Sequence, residues 1–294
     1  MTDNENPVLK NAGSRADAAP AAPRPAMVAA SIVTYHTDDE ELRRCLSSLS
    51  PKLFDRITVI DNSSSENTRR LCAQWQGVTY CPSENIGYGA AHNIAIRQSL
   101  ADGLRYHLVL NTDIRFNDRD FPILIHYMDS HPDTGALQPM ILSPDGTQQY
   151  TVRLLPTPFD LILRRFLPGN MMQKRRNRYE LRHIDHTRPF NAPYHQGSFM
   201  LLRCEALRDV GLFDERFFMY PEDIDLTRRI HERWRTMYVP DMKVIHDHKA
   251  ESYHSFRMLR IHIINMIRYF NKWSFSDRRI RQSAVPGHSA LAFL

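Results

Sequence analysis

Four short apolar runs, at residues 28–35, 57–60, 78–81 and 106–110, alternate with stretches of helical spacing, and each run stops at a cluster of polar residues. No other feature limits the fold as tightly. Short β-prone runs joined by helices belong in a parallel sheet covered on both faces. In such sheets ligands bind beyond the carboxyl ends of the strands. Thr34, Tyr35, Asp61, Asn85 and Asp113 all stand near such ends, so residues far apart in the chain are expected to meet in one crevice. The intervening helices are read with Leu42, Leu46 and Leu49 on one side of the first, a second at 66–75, and a third running to about residue 100.

A second cluster of acids follows an aromatic run. Glu222, Asp223 and Asp225 come directly after Pro221, which suits the first position of a helix, and Leu226, Ile230 and Trp234 recur at intervals of four to give that helix one apolar stripe. Acids in a first turn complement the helix dipole, so capping alone accounts for them. The acids elsewhere in the chain are what suggest chemistry. Asp113, two residues after Asn111, is half of a DxD pattern, which presents a carboxylate to a divalent cation on phosphate oxygens. The same Asn-Thr-Asp sequence is also an ordinary turn. His246 and His248 follow another strand and can direct an imidazole toward the crevice, although such pairs commonly serve packing unless an acid meets them. Asp113 would be that acid. Gly87 and Gly89 either allow close approach to a ligand or simply begin a helix; there is no GxGxxG, phosphate loop, GxSxG or HExxH.

The remaining organisation is coarser. Residues 1–26 lack large apolar side chains and read as a disordered tail, and the ordered chain divides into 27–135 for a nucleotide-sugar half and 136–255 for an acceptor and catalytic half. Prolines break up 136–195, where 159–167 reads as a short amphipathic helix, before Gln196-Gly197-Ser198 leads into a strand at 199–202. A long basic helix is expected at 255–273 within a C-terminal region spanning 256–294. Four cysteines without a CxxC pair indicate neither zinc nor a disulfide framework and fit a cytoplasmic protein. No run of 18 apolar residues is present, so neither a spanning helix nor a secretory leader is read. The net charge of +5 is unevenly spread: residues 153–188 carry nine Lys or Arg against three acids, and 256–282 seven against one. Such local basicity calls for an anionic partner.

Taken in order, these pieces resemble the inverting glycosyltransferases of family 2, which have the GT-A fold and use nucleotide-diphosphate sugars. The resemblance covers roughly 28–273 and rests on Ile32-Val33-Thr34-Tyr35, Val59-Ile60-Asp61-Asn62-Ser63-Ser64, Asn85-Ile86-Gly87-Tyr88-Gly89, Leu110-Asn111-Thr112-Asp113, Gln196-Gly197-Ser198-Phe199-Met200 and Pro221-Glu222-Asp223-Ile224-Asp225-Leu226. Within the family, His246-Asp247-His248, Ser252, His262 and Tyr269-Phe270-Asn271-Lys272-Trp273 are similar to bacterial rhamnosyltransferases of O-antigen and capsule assembly.

The resemblance implies that Thr34, Tyr35 and Asp61 hold the nucleoside, with Asp61 accepting from the base, and that Asn85 and Gly87 lie under the nucleotide sugar. Asn111 and Asp113 would face the diphosphate. Asp113 would bind Mg²⁺ or Mn²⁺ with His246, or its rival His248, as further ligand; Asn111 departs from the second acid many members carry. Asp223 would be the catalytic base, and Gln196, Gly197, Glu222 and Asp225 would serve the acceptor, with Arg228 or Arg229 pairing the acids. The implied donor is dTDP-L-rhamnose, with UDP-galactofuranose as the fallback, and the acceptor a lipid-linked saccharide at the inner face of the membrane. Peripheral membrane contact through the basic segments and a homodimer through the aromatic C-terminal helix are further expectations; nucleic acid is not an expected partner. Two other readings compete. A sugar nucleotidyltransferase needs a Gly-rich loop where Thr34-Tyr35-His36 stands, and a non-catalytic basic membrane- or nucleic-acid-binding protein gives no reason for Asp61, Asp113 and Asp223 to face a ligand.

Overall fold

The apolar runs assemble into one central sheet. The computed structural model describes residues 28–161, 173–247 and 256–273, so the expected tail at 1–26, most of the helix expected at 159–167, His248, Ser252 and the chain beyond 273 lie outside the described residues. Strands β1 (Val28–Thr34), β2 (Arg56–Asp61), β3 (Val78–Pro82) and β4 (Tyr106–Leu110) are joined by α1 (Asp39–Leu46), α2 (Glu66–Cys72) and α3 (Tyr88–Ala101). All four strands are parallel, as their spacing predicts. Next come β5 (Ile114–Arg115), α4 (Phe121–Ser130), β6 (Thr134–Leu142), β7 (Gln148–Gln149), β8 (Val152–Arg153), α5 (Pro158–Leu161) and α6 (Gln173–Tyr179). The chain continues through β9 (Phe190–Asn191), β10 (Tyr194–His195), β11 (Phe199–Arg203), α7 (Cys204–Val210), α8 (Glu222–His231), β12 (Arg235–His246) and α9 (Phe256–Lys272).

The main strand order is β3-β2-β1-β4-β11-β6-β12-β5. Apolar side chains such as Ile32, Leu108, Leu137, Leu201 and Val239 fill the largest core cluster along this sheet. β11 runs antiparallel to both of its neighbours. Its beginning therefore lies at the carboxyl edge of β4, where the Asn111 amide donates to the Ser198 carbonyl at 3.0 Å. β12 runs parallel to β6 and ends at the same edge, and the short β5 pairs Ile114 with His246. One edge thus gathers the ends of four strands and the start of a fifth.

Strand β6 and helix α4 escaped the sequence reading, which took Pro139 as a breaker. The proline is tolerated because β11 pairs only with Ala136 and Leu137, so Pro139 lies past the point where a ladder donor is required on that side. The Gln138 amide continues the contact instead, donating to the carbonyls of Gln196 and Phe199 at 2.7 and 2.8 Å. Gly135 is required by packing: a Cβ there would stand 2.6 Å from Trp234 Cβ and 2.7 Å from Ile230 Cγ2. Helix α8 stops at His231, so Trp234 extends the apolar stripe of Leu226 and Ile230 from just beyond the helix, and Pro221 precedes the first helical residue instead of occupying it.

The C-terminal helix is integral to the domain. Met266, Tyr269 and Phe270 bury against Leu155, Tyr194, Phe217 and Ile224, with Trp273 packed at the margin. The aromatic residues on which a contact with a second copy was expected are therefore turned onto the chain's own core. Its polar anchor is Asp225, fully buried, whose oxygens meet Arg229 Nε at 2.9 Å, Lys272 Nζ at 2.8 Å and Trp273 Nε1 at 2.8 Å. Arg228 stacks on the Trp273 ring at 4.0 Å. Removing the shared anion from such a buried set leaves its cations uncompensated, so Asp225→Ala is expected to cost about 3 kcal/mol of unfolding free energy. Urea unfolding measures this, and an unchanged midpoint would mean that the apolar face alone holds α9.

Candidate active site

The shared edge brings Asp113 and His246 together. Asp113 Oδ2 lies 3.2 Å from His246 Nε2. The orientation of that imidazole follows from Gln149, whose amide nitrogen donates to the His246 carbonyl at 2.9 Å, which leaves Gln149 Oε1 facing His246 Nδ1 at 2.8 Å. An amide oxygen can only accept, so Nδ1 carries the proton. In the neutral ring, Nε2 then turns a lone pair toward a carboxylate. Two acceptors this close need a proton or a cation between them. Asp113 Oδ1 is buried and has no hydrogen-bond partner. Beside it, Thr112 donates to Glu41 at 2.6 Å. Among the described residues no three His, Cys, Asp or Glu side chains cluster to hold a metal by themselves. A cation held by Asp113 and His246 would have to complete its shell with ligand oxygens and water, the usual arrangement for Mg²⁺ on a diphosphate.

Asp223, in the first turn of α8, is held by three donors. Its Oδ2 accepts from the Gly197 amide at 2.9 Å and the Tyr194 hydroxyl at 3.3 Å, and its Oδ1 accepts from the Ile224 amide at 2.8 Å. Burial pushes its carboxyl above the usual aspartate range, against the pull of those donors. Glu222 is 5% exposed with Oε2 unpartnered, and burial together with the neighbouring Asp223 charge raises it well above the glutamate range. The better-solvated and better-donated Asp223 ionises first, while Glu222 keeps its proton. Two adjacent carboxyls whose environments separate their protonation states are suited to divided work.

Tyr88 connects the two halves. Its hydroxyl lies 2.8 Å from Asn111 Oδ1 and 2.7 Å from the Gly197 carbonyl, within the same loop whose amide holds Asp223. Burial and the charges of Glu222, Asp223 and Asp113 raise this phenol well above its ordinary value, so it stays a neutral donor. The sequence reading missed Tyr88, Tyr194, Gln149 and Arg153. Tyr88 follows a quoted glycine and could have been suspected; the others lie in the proline-broken middle, where no period marks a strand.

Several expected residues take places other than those foreseen. Asp61 is fully buried, and its carboxylate already accepts from the Ser63 amide and hydroxyl at 3.0 and 2.6 Å, the Ser65 amide at 2.6 Å and the Tyr80 hydroxyl at 3.1 Å. Burial opposes its ionisation, but the Ser63 and Ser65 donors outweigh that and hold it below the usual range. Four donors fill its capacity, so Asp61 shapes the Ser63–Ser65 turn and leaves no lone pair for a base. Gly87 has φ +94°, and a Cβ would meet the Phe218 carbonyl at 2.2 Å; a Cβ on Gly89 would meet Phe213 at 2.9 Å. Both glycines thus admit the chain's own 213–218 segment, which removes the need for a ligand to explain them. Asp225 is consumed by Arg229, Lys272 and Trp273 and does not reach the crevice.

The rest stand at the edge. Tyr35 is 54% exposed, Thr34 is buried with an unpartnered hydroxyl, and exposed Asn85 caps the Gly87 amide. Gln196 lines a cleft of about 740 Å³ together with His246, Arg153 and Tyr220.

Comparison with known proteins agrees with this geometry. Residues 31–211 match the model of the family described as glycosyl transferase family 2. The chain is 32% identical over 237 residues to N-acetylglucosaminyl-diphospho-decaprenol L-rhamnosyltransferase of Mycobacterium tuberculosis, covering 75% of each protein. It is 29% identical over 251 residues to the rhamnosyltransferase WbbL of Escherichia coli, covering 81% of this chain and 90% of that one. Among solved structures, GalNAc-T7 with UDP, GalNAc and Mn²⁺ superposes with a TM-score of 0.62 at 17% identity over 86% of this chain, which spans 49% of that protein's length. That likeness shows the fold, which is GT-A. With the family model covering most of the chain and rhamnosyltransferases among its relatives, the chain belongs to glycosyltransferase family 2 and is a glycosyltransferase.

Proposed function

We propose that this enzyme transfers L-rhamnose from dTDP-L-rhamnose, with inversion, to a hydroxyl of a saccharide carried on a lipid diphosphate. The observation that carries the reading is the placement of an ionisable Asp223 beside a turn bearing Asp113 and His246, linked through Gly197 and Tyr88. Rhamnose as the sugar, dTDP as the nucleotide and the lipid diphosphate as the carrier draw their support from resemblance to rhamnosyltransferases, one of them named for a diphospho-decaprenol acceptor.

An inverting transfer is one in-line displacement. The acceptor hydroxyl loses its proton as it attacks the anomeric carbon, and the departing diphosphate gains charge on the opposite side. Asp223 takes the proton, and the Gly197 amide and Tyr194 hydroxyl hold the carboxylate for it. A base raised by burial lies closer to the working pH, which favours proton transfer. Gln149 fixes the His246 ring so that Nε2 and Asp113 face one point, and these two side chains would hold Mg²⁺ or Mn²⁺. The cation would supply Lewis-acid stabilisation of the charge on the leaving diphosphate. Tyr88 positions both sides, its hydroxyl spanning Asn111 and Gly197. Thr34 and Tyr35 lie where a nucleoside would rest, over the turn built by Asp61.

Three outcomes test this. Donor hydrolysis and transfer measured across dTDP, UDP and GDP sugars should select dTDP-rhamnose and stop in EDTA, and Asp113→Ala should weaken donor binding; turnover of none of these sugars would sink the assignment. Asp223→Asn should lower kcat by about a thousandfold with donor affinity unchanged, since it removes a base and not a binding contact. For the wild type, kcat/KM should rise with pH along an acid limb whose midpoint lies above the ordinary aspartate value of about 3.9, because the base acts only when ionised and burial raises it. A midpoint at or below that value would place the base elsewhere.

A further inference from the structure

The chemistry above leaves the basic stretch after Arg153 without a task. Its arginines are not scattered over the surface. Glu180, 3% exposed, accepts from Arg176 Nε at 3.0 Å and Arg182 Nε at 2.7 Å, so one buried carboxylate orients two guanidinium groups. Arg182 also stacks over the Tyr150 ring at 4.3 Å. Arg153 is held differently: its Nε donates to the Tyr150 carbonyl at 3.0 Å, and its guanidinium lies 5.9 Å from the ring centroids of both Tyr179 and Tyr194. Among the described residues no carboxylate lies within ion-pair distance of Arg153. All three arginines line the 740 Å³ cleft that His246 and Gln196 also line.

A half-buried guanidinium between aromatic rings, without a protein anion, is a preformed fork for a phosphate. The other carboxylates of the cleft do not take that place. Glu180 is turned to Arg176 and Arg182, Asp145 accepts from the Thr147 amide and hydroxyl, and the Asp247 amide donates to the Asp113 carbonyl at the opposite end. Arg153 is packed on Tyr194, whose hydroxyl donates to Asp223. An anion held there sits on the side of the base, where the acceptor enters, and not at the Asp113–His246 turn.

We propose that Arg153, with Arg176 and Arg182, forms an anion subsite that takes the diphosphate joining the acceptor sugar to its lipid. This rests on the reading of the enzyme as a transferase with a lipid-linked acceptor. The subsite would recognise the carrier linkage and leave the sugar's hydroxyls to Gln196 and Asp223.

The direct test is calorimetric titration of inorganic pyrophosphate in EDTA, which removes any contribution from a cation at Asp113. The wild type and Asp113→Asn should bind alike, while Arg153→Gln and Arg182→Gln should each weaken binding by about tenfold, the loss expected for a charged hydrogen-bonded contact. Arg153→Lys, which keeps the charge but not the fork, should fall between, and thermal melting reports whether each variant is folded. No pyrophosphate binding by the wild type, or binding indifferent to the arginines, would overturn the subsite. In the kinetic arm, an alkyl diphosphosugar and a neutral alkyl glycoside of the same sugar are compared as acceptors. Arg153→Gln and Arg182→Gln should raise KM about tenfold for the first only, with donor hydrolysis unchanged. An equal effect on both acceptors would make the arginines structural, and a rise in donor KM would assign them to the donor. Pyrophosphate binding through the arginines in a protein that turns over no nucleotide sugar would sink the transferase reading and leave the anion site standing.

Discussion

Asp223 ionises beside the buried Glu222 because three donors reach it, and each comes from a different part of the fold. The Ile224 amide belongs to α8 itself. The Gly197 amide arrives because β11 runs against its neighbours, so that its leading loop, and not its end, meets the carboxyl edge of β4. The Tyr194 hydroxyl arrives because β10 pairs with β8 across the proline-broken middle. A sheet with β11 reversed would bring Arg203 to this edge in place of Gly197, and the carboxylate would lose its strongest neutral donor. The single antiparallel strand is thus the topological condition for an ionised base at this position.

The first half of this architecture is legible in the sequence. Residues 28–110 obey one rule, short apolar strand then helix, and the strand ends follow within a residue or two. Asp113, His246 and Asp223 were found by the same logic, since acids and histidines at strand ends and helix starts stand out against apolar periodicity. The second half obeys no such rule. Gly135 and Pro139 mask β6, and the reasons they are tolerated, a close approach by Trp234 and the early end of the β11 ladder, are tertiary. Asp61 and Gly87 were recognised as special for the wrong reason. Both look like ligand contacts because a motif marks them, but one is saturated by its own turn and the other makes room for Phe218. A motif records that a position is constrained without saying whether a ligand or the backbone constrains it.

Helix α9 shows how stability and chemistry share residues. Tyr194 and Ile224, which donate to Asp223 through a hydroxyl and an amide, also belong to the cluster that α9 covers with Met266, Tyr269 and Phe270. Asp225, two positions after the base, is the ionic anchor of the same helix. The start of α8 therefore presents one acid to the cleft and gives another to the C-terminal helix. This division follows from helical spacing, because residues two apart face nearly opposite directions.

Charge balance sets the last constraint on the cleft. Glu41, Asp113, Glu222, Asp223 and Asp247 crowd one end of the sheet, a field that would repel any phosphate-bearing ligand. Protonation of Glu222 removes one of these charges, and Thr112 donates to another at Glu41. Compensation then has to come from groups near the remaining carboxylates but not bonded to them, since an arginine locked to Asp223 would disable the base. Arg153 meets that requirement: it is close enough to lower Asp223 through space, yet it is held by the Tyr150 carbonyl and two aromatic rings instead of by the carboxylate. Stacking a cation on tyrosines keeps its field in the cleft while leaving its fork open, which is the arrangement an acid-rich site needs if it is to receive anionic substrates.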